Sequence, residues 1–304
     1  VNAIDLFAGI GGFSTGAVMA GCSVVWAANH WPPAVEWHAV NHPDTAHACQ
    51  DVQQADWRMV PAHNILLASP ACQGHSPARG AEKPHHDALR STAWAVVSAA
   101  EFHRPEVVVI ENVPEFARWQ LYPAWCASMH ALGYALAPMV IDAADHGVPQ
   151  NRRRLFIVAT RSRHPIELQL QRREHVAAAE VIDFSAGSWT PICRPGRSPA
   201  TLARIAAGRA SHGNRFLAPY YGSGSGETGR SLYRPIGTIT TRDRWAVIDG
   251  DQMRMLTKEE ARAFMGFPAS TMLPPAHRLA MHMLGNAVCP PVATDLINAI
   301  RQAA

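Results

Sequence analysis

Short apolar runs that alternate with helix-like stretches constrain this chain more than any other feature. Ala3 to Phe7, Ser23 to Ala28, Ile65 to Ala68, Val107 to Ile110 and Leu155 to Thr160 read as strands. Helices are expected over Ser14 to Ala20, Val35 to Val40, Leu89 to Phe102 and Tyr122 to Leu132. Such alternation predicts an α/β domain with a parallel sheet and helices on both faces. From about Arg161 to Tyr233 the alternation disappears into a stretch rich in Arg, Gly, Pro and Ser, and Pro291 to Ile300 returns to an amphipathic helix. The expected organisation is residues 1–160 as the main domain, 161–275 as a smaller irregular one, and 276–304 returning to the first.

Composition bounds the function classes. No apolar run reaches the roughly 18 residues of a membrane span, and no secretory leader is expected at Val1. The six cysteines, Cys22, Cys49, Cys72, Cys126, Cys193 and Cys289, include no C-x-x-C pair, which argues against a structural zinc site or a disulfide framework. The net charge of +3 says little, but the basic set is nearly all arginine, with only Lys83 and Lys258 as lysines. Arginine suits bidentate contacts to phosphates and guanine edges, although a GC-rich genome gives the same bias.

The candidate chemistry gathers at the ends of the strands. Asp5-Leu6-Phe7-Ala8-Gly9-Ile10-Gly11-Gly12 runs from the first strand into a helix, and its glycines let the backbone approach a ligand beside a helix N-terminus. Ser14 stands where a dinucleotide fingerprint would have its third glycine. Asn29-His30-Trp31 and Asp51-Val52 follow the next two strands, so Trp31 could cover an adenine face and Asp51 accept from its amino group. After Ile65 to Ala68 comes Ser69-Pro70-Ala71-Cys72-Gln73, which places a cysteine in a turn at the sheet edge, followed by a polar loop resembling a lid. Glu111-Asn112-Val113 ends the neighbouring apolar strand, where a carboxylate costs stability unless paired or functional. Gln150, Arg152 and Arg154 alternate along an extended segment and would share one face. Thiol, carboxylate and arginine are thus expected on one edge.

These residues resemble the cytosine-5 DNA methyltransferases from end to end. Phe7 to Gly12, Cys72-Gln73, Glu111-Asn112-Val113, Gln150-x-Arg152-x-Arg154, Arg234-Pro235 with Thr238-Ile239-Thr240-Thr241, and Gly285-Asn286-Ala287-Val288 match six motifs of that family in order and spacing. The resemblance implies a Rossmann-like S-adenosylmethionine-dependent methyltransferase sheet with a smaller target-recognition domain. It implies Cys72 as the nucleophile on carbon 6 of cytosine, Glu111 on ring nitrogen 3 and the amino group, and Arg154 with Arg152 on the base carbonyl or ordering the site. For the cofactor it implies Asp5, Phe7, Ala8, Gly9, Gly11, Gly12, Asn29, His30, Trp31, Asp51, Val52, Pro70, Asn286, Ala287 and Val288. For DNA it implies Gln73, Ser76, Arg79, Arg242 and Arg244, with a cytosine flipped out of the duplex. Double-stranded DNA is the expected partner of a cytoplasmic, nucleoid-associated monomer that uses neither metal nor membrane.

Two positions depart from the family. Ala71, not proline, precedes Cys72, and His30 stands where an acidic residue usually binds the ribose hydroxyls, so weaker or altered cofactor recognition is expected. Two rivals remain at this point: methylation of transfer RNA, disfavoured by the arginine-rich variable region, and a binder that has lost catalysis, disfavoured by the retained Cys72, Glu111 and glycines.

Overall fold

The computed structural model describes residues 1–71, 91–220 and 229–303. The chain divides into two compact units: Val1–Asp142, Arg153–Arg172 and Ala287–Ala304 form the first, and Ala143–Arg152 with Arg173–Asn286 the second. These limits fall at different residues from the expected 160/161 and 275/276 boundaries. The link between two paired strands and the helix before Asn286 both group with the second unit.

The first unit is built on β1 (Asn2–Leu6), α1 (Gly12–Met19), β2 (Ser23–Asn29), α2 (Pro32–Asn41), β3 (Ala46–Cys49), β4 (Ile65–Ala68), α3 (Trp94–His103), β5 (Val107–Asn112), α4 (Tyr122–Ala131), β6 (Ala135–Asp142) and β7 (Arg153–Thr160). The seven strands lie in the order β3-β2-β1-β4-β5-β7-β6. All are parallel except β7, which pairs antiparallel with both β5 and β6. The expected parallel sheet is present, with β7 as its one antiparallel strand among the described residues. The chain passes from β6 to β7 through a short connection rather than a crossover helix, and a parallel return would need the longer crossover. Strand β6 itself escapes sequence reading because it is an edge strand with Pro138 in its middle.

Apolar side chains on both faces explain why β4 carries no polar alternation. Ile4, Leu6, Leu66, Ala68, Val108 and Ile110 pack with Val96 and Ala99 of α3 and Trp125 and Met129 of α4. On α1, Phe13 meets Phe156 edge-on at 6.3 Å. The final helix of the unit, here α8 (Pro290–Ala303), packs on α1 so closely that a side chain at Gly16 would overlap Ala293 and the Pro290 carbonyl. Thr294 Oγ1 donates to the Gly16 carbonyl at 3.1 Å, and Arg301 donates to that of Ala20.

The second unit is more regular than its composition suggests. It holds β8 (Thr190–Pro191), α5 (Pro199–His212), β9 (Arg215–Pro219), β10 (Trp245–Asp249), β11 (Gln252–Met255), α6 (Lys258–Phe264) and α7 (His277–Asn286). The strands form an antiparallel sheet in the order β8-β11-β10-β9. Helix α5 starts at an N-cap in which Ser198 Oγ accepts from the Thr201 amide at 3.2 Å. Ile205 of α5 packs with Phe216, Ala246 and Ile248, and the next contact one turn on is made by Gly208 beneath the Phe216 ring. A glycine at the place where the apolar repeat needs a large residue hides this helix from a periodicity search. Among the described residues no helix is long and apolar enough to cross a membrane.

Candidate active site

The strand order reverses direction beside β1: the chain runs outward through β2 and β3, then returns to place β4 on the other side. In open α/β sheets the crevice beyond the carboxyl ends at such a switch point is where ligands bind. The residues that follow β1, β2, β3, β4 and β5 all emerge along that edge. The backbone ties them together: the Ala8 amide donates to Ala28, Gln50 to Asn29 and Ser69 to Leu6.

The loop after β1 is tightly specified. Phe7 adopts a left-handed conformation (φ 63°), a strained choice for a residue with a side chain. Gly11 caps α1 at φ 98°, and a Cβ there would lie 2.5 Å from His42 Nε2, so only glycine fits. Gly9 by contrast faces open space. The N-cap residue Gly11 has no side chain with which to cap α1, and the Ser14 amide of the first turn is taken by the Asp5 carboxyl. The Asp5 carboxyl is buried behind the loop, where Ser14 Oγ lies 2.7 Å from Oδ2, and burial raises its pKa to about 7. Asp5 therefore supports the loop from within.

Asn29 orients the next strand end. Its Nδ2 donates to the Ala8 carbonyl at 2.9 Å and its Oδ1 accepts from the Trp31 amide at 2.9 Å. His30 is exposed and Trp31 half-buried beside it. Asp51 accepts from the Gln53 amide at 3.0 Å and from Gln54 Nε2 at 3.3 Å, while Val52 is buried. Asn286 ends α7 in the second unit, and Ala287 and Val288 are buried in the first.

The ends of β4 and β5 are joined by side chains. Asn112 Nδ2 donates to the Pro70 carbonyl at 3.1 Å, and the Ala71 amide donates to Thr92 Oγ1 at 3.1 Å. The peptide that leads into Cys72 is thus fixed one residue from Glu111. Asn112 belongs to a recognisable motif, whereas nothing in the sequence marks Thr92. Cys72, Gln73, Ser76 and Arg79 lie outside the described residues. Glu111 pairs with Arg154 across β5 and β7, Oε1 to Nε 3.1 Å, with the two side chains 9% and 17% exposed. Glu111 stands opposite Phe156 in the register, and Arg154 is two residues along, so the diagonal pair shares one face.

Gln150 and Arg152 do something different from Arg154. Gln150 is fully buried in the second unit, donating to the Phe264 carbonyl at 2.9 Å and accepting from the Ile239 amide at 2.7 Å. Arg152 donates to the carbonyls of Ile239 at 2.9 Å and Gly285 at 2.8 Å. A Cβ at Gly285 would overlap the backbone of Thr240 and Thr241, which explains the glycine of the last motif. These residues hold together the segments that sequence reasoning singled out separately. Arg242 is exposed, and Arg244 donates to the Tyr220 carbonyl at 3.0 Å.

A sheet with this order, a glycine loop at its switch point and a carboxylate–arginine pair farther along the same edge are what an α/β enzyme with a nucleotide-like ligand requires. The model of the C-5 cytosine-specific DNA methylase family matches residues 1–187 and 202–302, and the chain belongs to that family. The type II methyltransferase M.NlaX of Neisseria lactamica is 25% identical over 99% of this chain and 96% of its own length. M.HhaI of Haemophilus parahaemolyticus is 26% identical over 94% of this chain and 89% of its own. The crystal structure of the S. pombe Dnmt2 methyltransferase superposes with a TM-score of 0.71 at 16% identity, covering 99% of this chain and 98% of that one, and so shares the fold. The enzyme is a DNA (cytosine-5-)-methyltransferase, with S-adenosylmethionine as its methyl donor.

Proposed function

We propose that this enzyme methylates a cytosine flipped out of a short recognition sequence in duplex DNA, through a covalent bond from Cys72 to carbon 6. The observation that carries the reading is the buried Glu111–Arg154 pair, one residue from the Asn112 amide that fixes the peptide before Cys72. The cofactor fits the residues at the switch point: an open face at Gly9, a helix N-terminus whose N-cap residue is Gly11, and Trp31 beside Asn29. When bound, S-adenosylmethionine supplies an electrophilic methyl group. His30 would meet the ribose with an imidazole where a carboxylate is usual, because both ends of the neighbouring Asn29 amide already hold the loop.

The remaining work falls to the chain. Carbon 5 of cytosine is a weak nucleophile, and addition of the Cys72 thiolate at carbon 6 pushes electron density onto it. Glu111 holds ring nitrogen 3 in its protonated state, so the charge developed on the ring is neutralised as it forms. Arg154 keeps that carboxylate oriented and charged, and reaches toward the base carbonyl. Carbon 5 takes the methyl group and then loses its proton to water, as the carbon–sulfur bond breaks to release the Cys72 thiolate and ring nitrogen 3 returns its proton to Glu111. The second unit acts as the target-recognition domain, with Arg242 directed to the backbone or groove, and the enzyme works as a monomer without metal.

The test is methyl transfer from labelled S-adenosylmethionine to mixed-sequence duplex DNA, with transfer RNA and the Cys72→Ala variant alongside. Label recovered as 5-methylcytosine in DNA, and lost with Cys72→Ala, supports the reading and lets the target be mapped by sequencing. A duplex carrying 5-fluorocytosine at that target should then trap the covalent adduct. Label only in RNA, or transfer that survives Cys72→Ala, refutes it.

A further inference from the structure

Behind the glycine loop lies a run of polar groups that the reaction does not use. Ser14 Oγ is 2.7 Å from Asp5 Oδ2 and 3.0 Å from His38 Nε2, and His38 Nδ1 is 2.7 Å from His47 Nε2. His47 in turn bonds the Thr45 backbone, and Asp5 also accepts from the Ser14 amide. Asp5, Ser14 and His38 are buried, and His47 at the far end is half-exposed. The chain joins β1, the first turn of α1, α2 and β3, the four elements that frame the loop. His42 stands beside it with its ring 4.6 Å from that of His38, bonded to Thr15 Oγ1 at 3.2 Å and to the Gly11 backbone.

The donors and acceptors can be counted. His47 must donate to the Thr45 carbonyl through Nδ1, since its Nε2 faces His38. If His47 is neutral, Nε2 accepts, so His38 donates through Nδ1 and accepts at Nε2 from the Ser14 hydroxyl. Ser14 then has no hydrogen left for Asp5, and Asp5 must itself be the donor, as a carboxylic acid. The alternative, an ionised Asp5 with a doubly protonated His47, carries the same number of protons moved along the chain. Both patterns need one proton more than an ionised Asp5 with two neutral histidines. Removing that proton sets two lone pairs against each other somewhere between Asp5 and Thr45.

We propose that Ser14 and His38 are positioning residues of the cofactor loop, acting through a proton-sharing chain from Asp5 to His47 that holds the glycine turn only while its proton count is complete. The proposal rests on the cofactor reading of that loop. Burial favours the uncharged pattern, raising Asp5 to about 7 and holding His38 and His47 below the usual imidazole range. The titratable groups facing His38 are Asp5 from β1, His42 just past the end of α2 and His47 from β3, and burial keeps His42 low as well. Cofactor affinity should therefore weaken as pH rises past the loss of the shared proton.

Calorimetric titration of S-adenosylmethionine at about pH 6 and about pH 8.5 tests this, with nitrogen-15 NMR of the imidazoles in the ligand-free protein. Wild-type affinity should fall about tenfold between the two, the worth of one buried hydrogen bond. Asp5→Asn, which donates to Ser14 at every pH, should remove the dependence and bind more tightly than wild type at the higher pH. Ser14→Ala, with the chain cut, should bind more weakly at both. NMR should place the His38 proton on Nδ1. A flat wild-type profile, an Asp5→Asn profile that follows wild type, or a His38 proton on Nε2 beside a singly protonated His47 overturns the proposal. Failure of the wild type to bind at either pH, with the NMR pattern as expected, overturns instead the cofactor reading beneath it.

Discussion

Replacing Glu111 by glutamine separates chemistry from packing, because the change removes a charge and leaves the shape. The Glu111–Arg154 contact is 3.1 Å long and mostly shielded from water. At an effective dielectric of about 20 its gross attraction is about 5 kcal/mol, much of it offset by the desolvation of both ions. A net worth of about 1.5–3 kcal/mol is typical of hydrogen bonds to charged groups. The amide oxygen introduced by Glu111→Gln could still accept from Arg154, so about 1–2 kcal/mol of stability should be lost. The rate should suffer far more. A neutral amide cannot keep ring nitrogen 3 protonated, and loss of such a proton-holding group costs about a hundred- to ten-thousand-fold. Single-turnover methyl transfer with saturating cofactor and mapped duplex gives the rate, and urea unfolding gives the stability. A rate within about tenfold of wild type, with the stability loss as expected, would reduce the pair to a structural contact and refute its catalytic assignment.

The other predictions follow from single contacts. His30→Glu should tighten S-adenosylmethionine binding by about tenfold, the value of a charge-assisted over a neutral hydrogen bond to the ribose, and calorimetry reads it directly. Gly285→Ala should destabilise the second unit by about 1–3 kcal/mol, because the added methyl overlaps the Thr240–Thr241 backbone, and thermal melting checks it. Stability should fall on acidification below about pH 6.5. His63 is lowered to about 4 and His103 also lowered, both by burial, so each contributes stability above its unfolded pKa that is lost as pH falls toward its folded one. Asp5 has the opposite sign, its contribution fading as pH rises through about 7, so His63→Gln should flatten the acid limb of urea midpoints measured from about pH 7.5 to 5.

Much of the candidate site is legible because its residues sit at strand ends, where an apolar run stops abruptly at a polar group. Phe7 to Gly12, Asn29 to Trp31 and Glu111 to Asn112 can all be read that way. What the sequence conceals has physical causes. β7 runs antiparallel because the chain turns back from β6 through a short link, and strand direction leaves no mark in the apolar pattern. α5 lacks its expected stripe because Gly208 supplies a contact by being absent beneath Phe216. The polar chain behind the loop is hidden because Ser14, His38 and His47 are far apart in sequence and meet only when α1, α2 and β3 close around β1. Asp5 looks like a ligand contact from its position, and the alternation of the strand turns it inward instead.

The arginine motif shows how one sequence pattern can carry two kinds of work. Alternation suggests that Gln150, Arg152 and Arg154 act together. Arg154 meets Glu111 in the first unit, whereas Arg152 is buried among backbone carbonyls of the second. Truncating it in Arg152→Met would strand the carbonyls of Ile239 and Gly285, each losing a charge-assisted bond worth about 1.5–3 kcal/mol, for a total of about 3–6 kcal/mol. The damage should be local. Hydrogen exchange should accelerate around residues 236–241 and 282–286, while S-adenosylmethionine still binds at the loop after β1 and methyl transfer is lost with the second unit. If Arg152→Met instead keeps native exchange in both segments yet loses transfer at saturating DNA, Arg152 acts on the base directly. The division of labour drawn from its two carbonyl contacts would then be wrong.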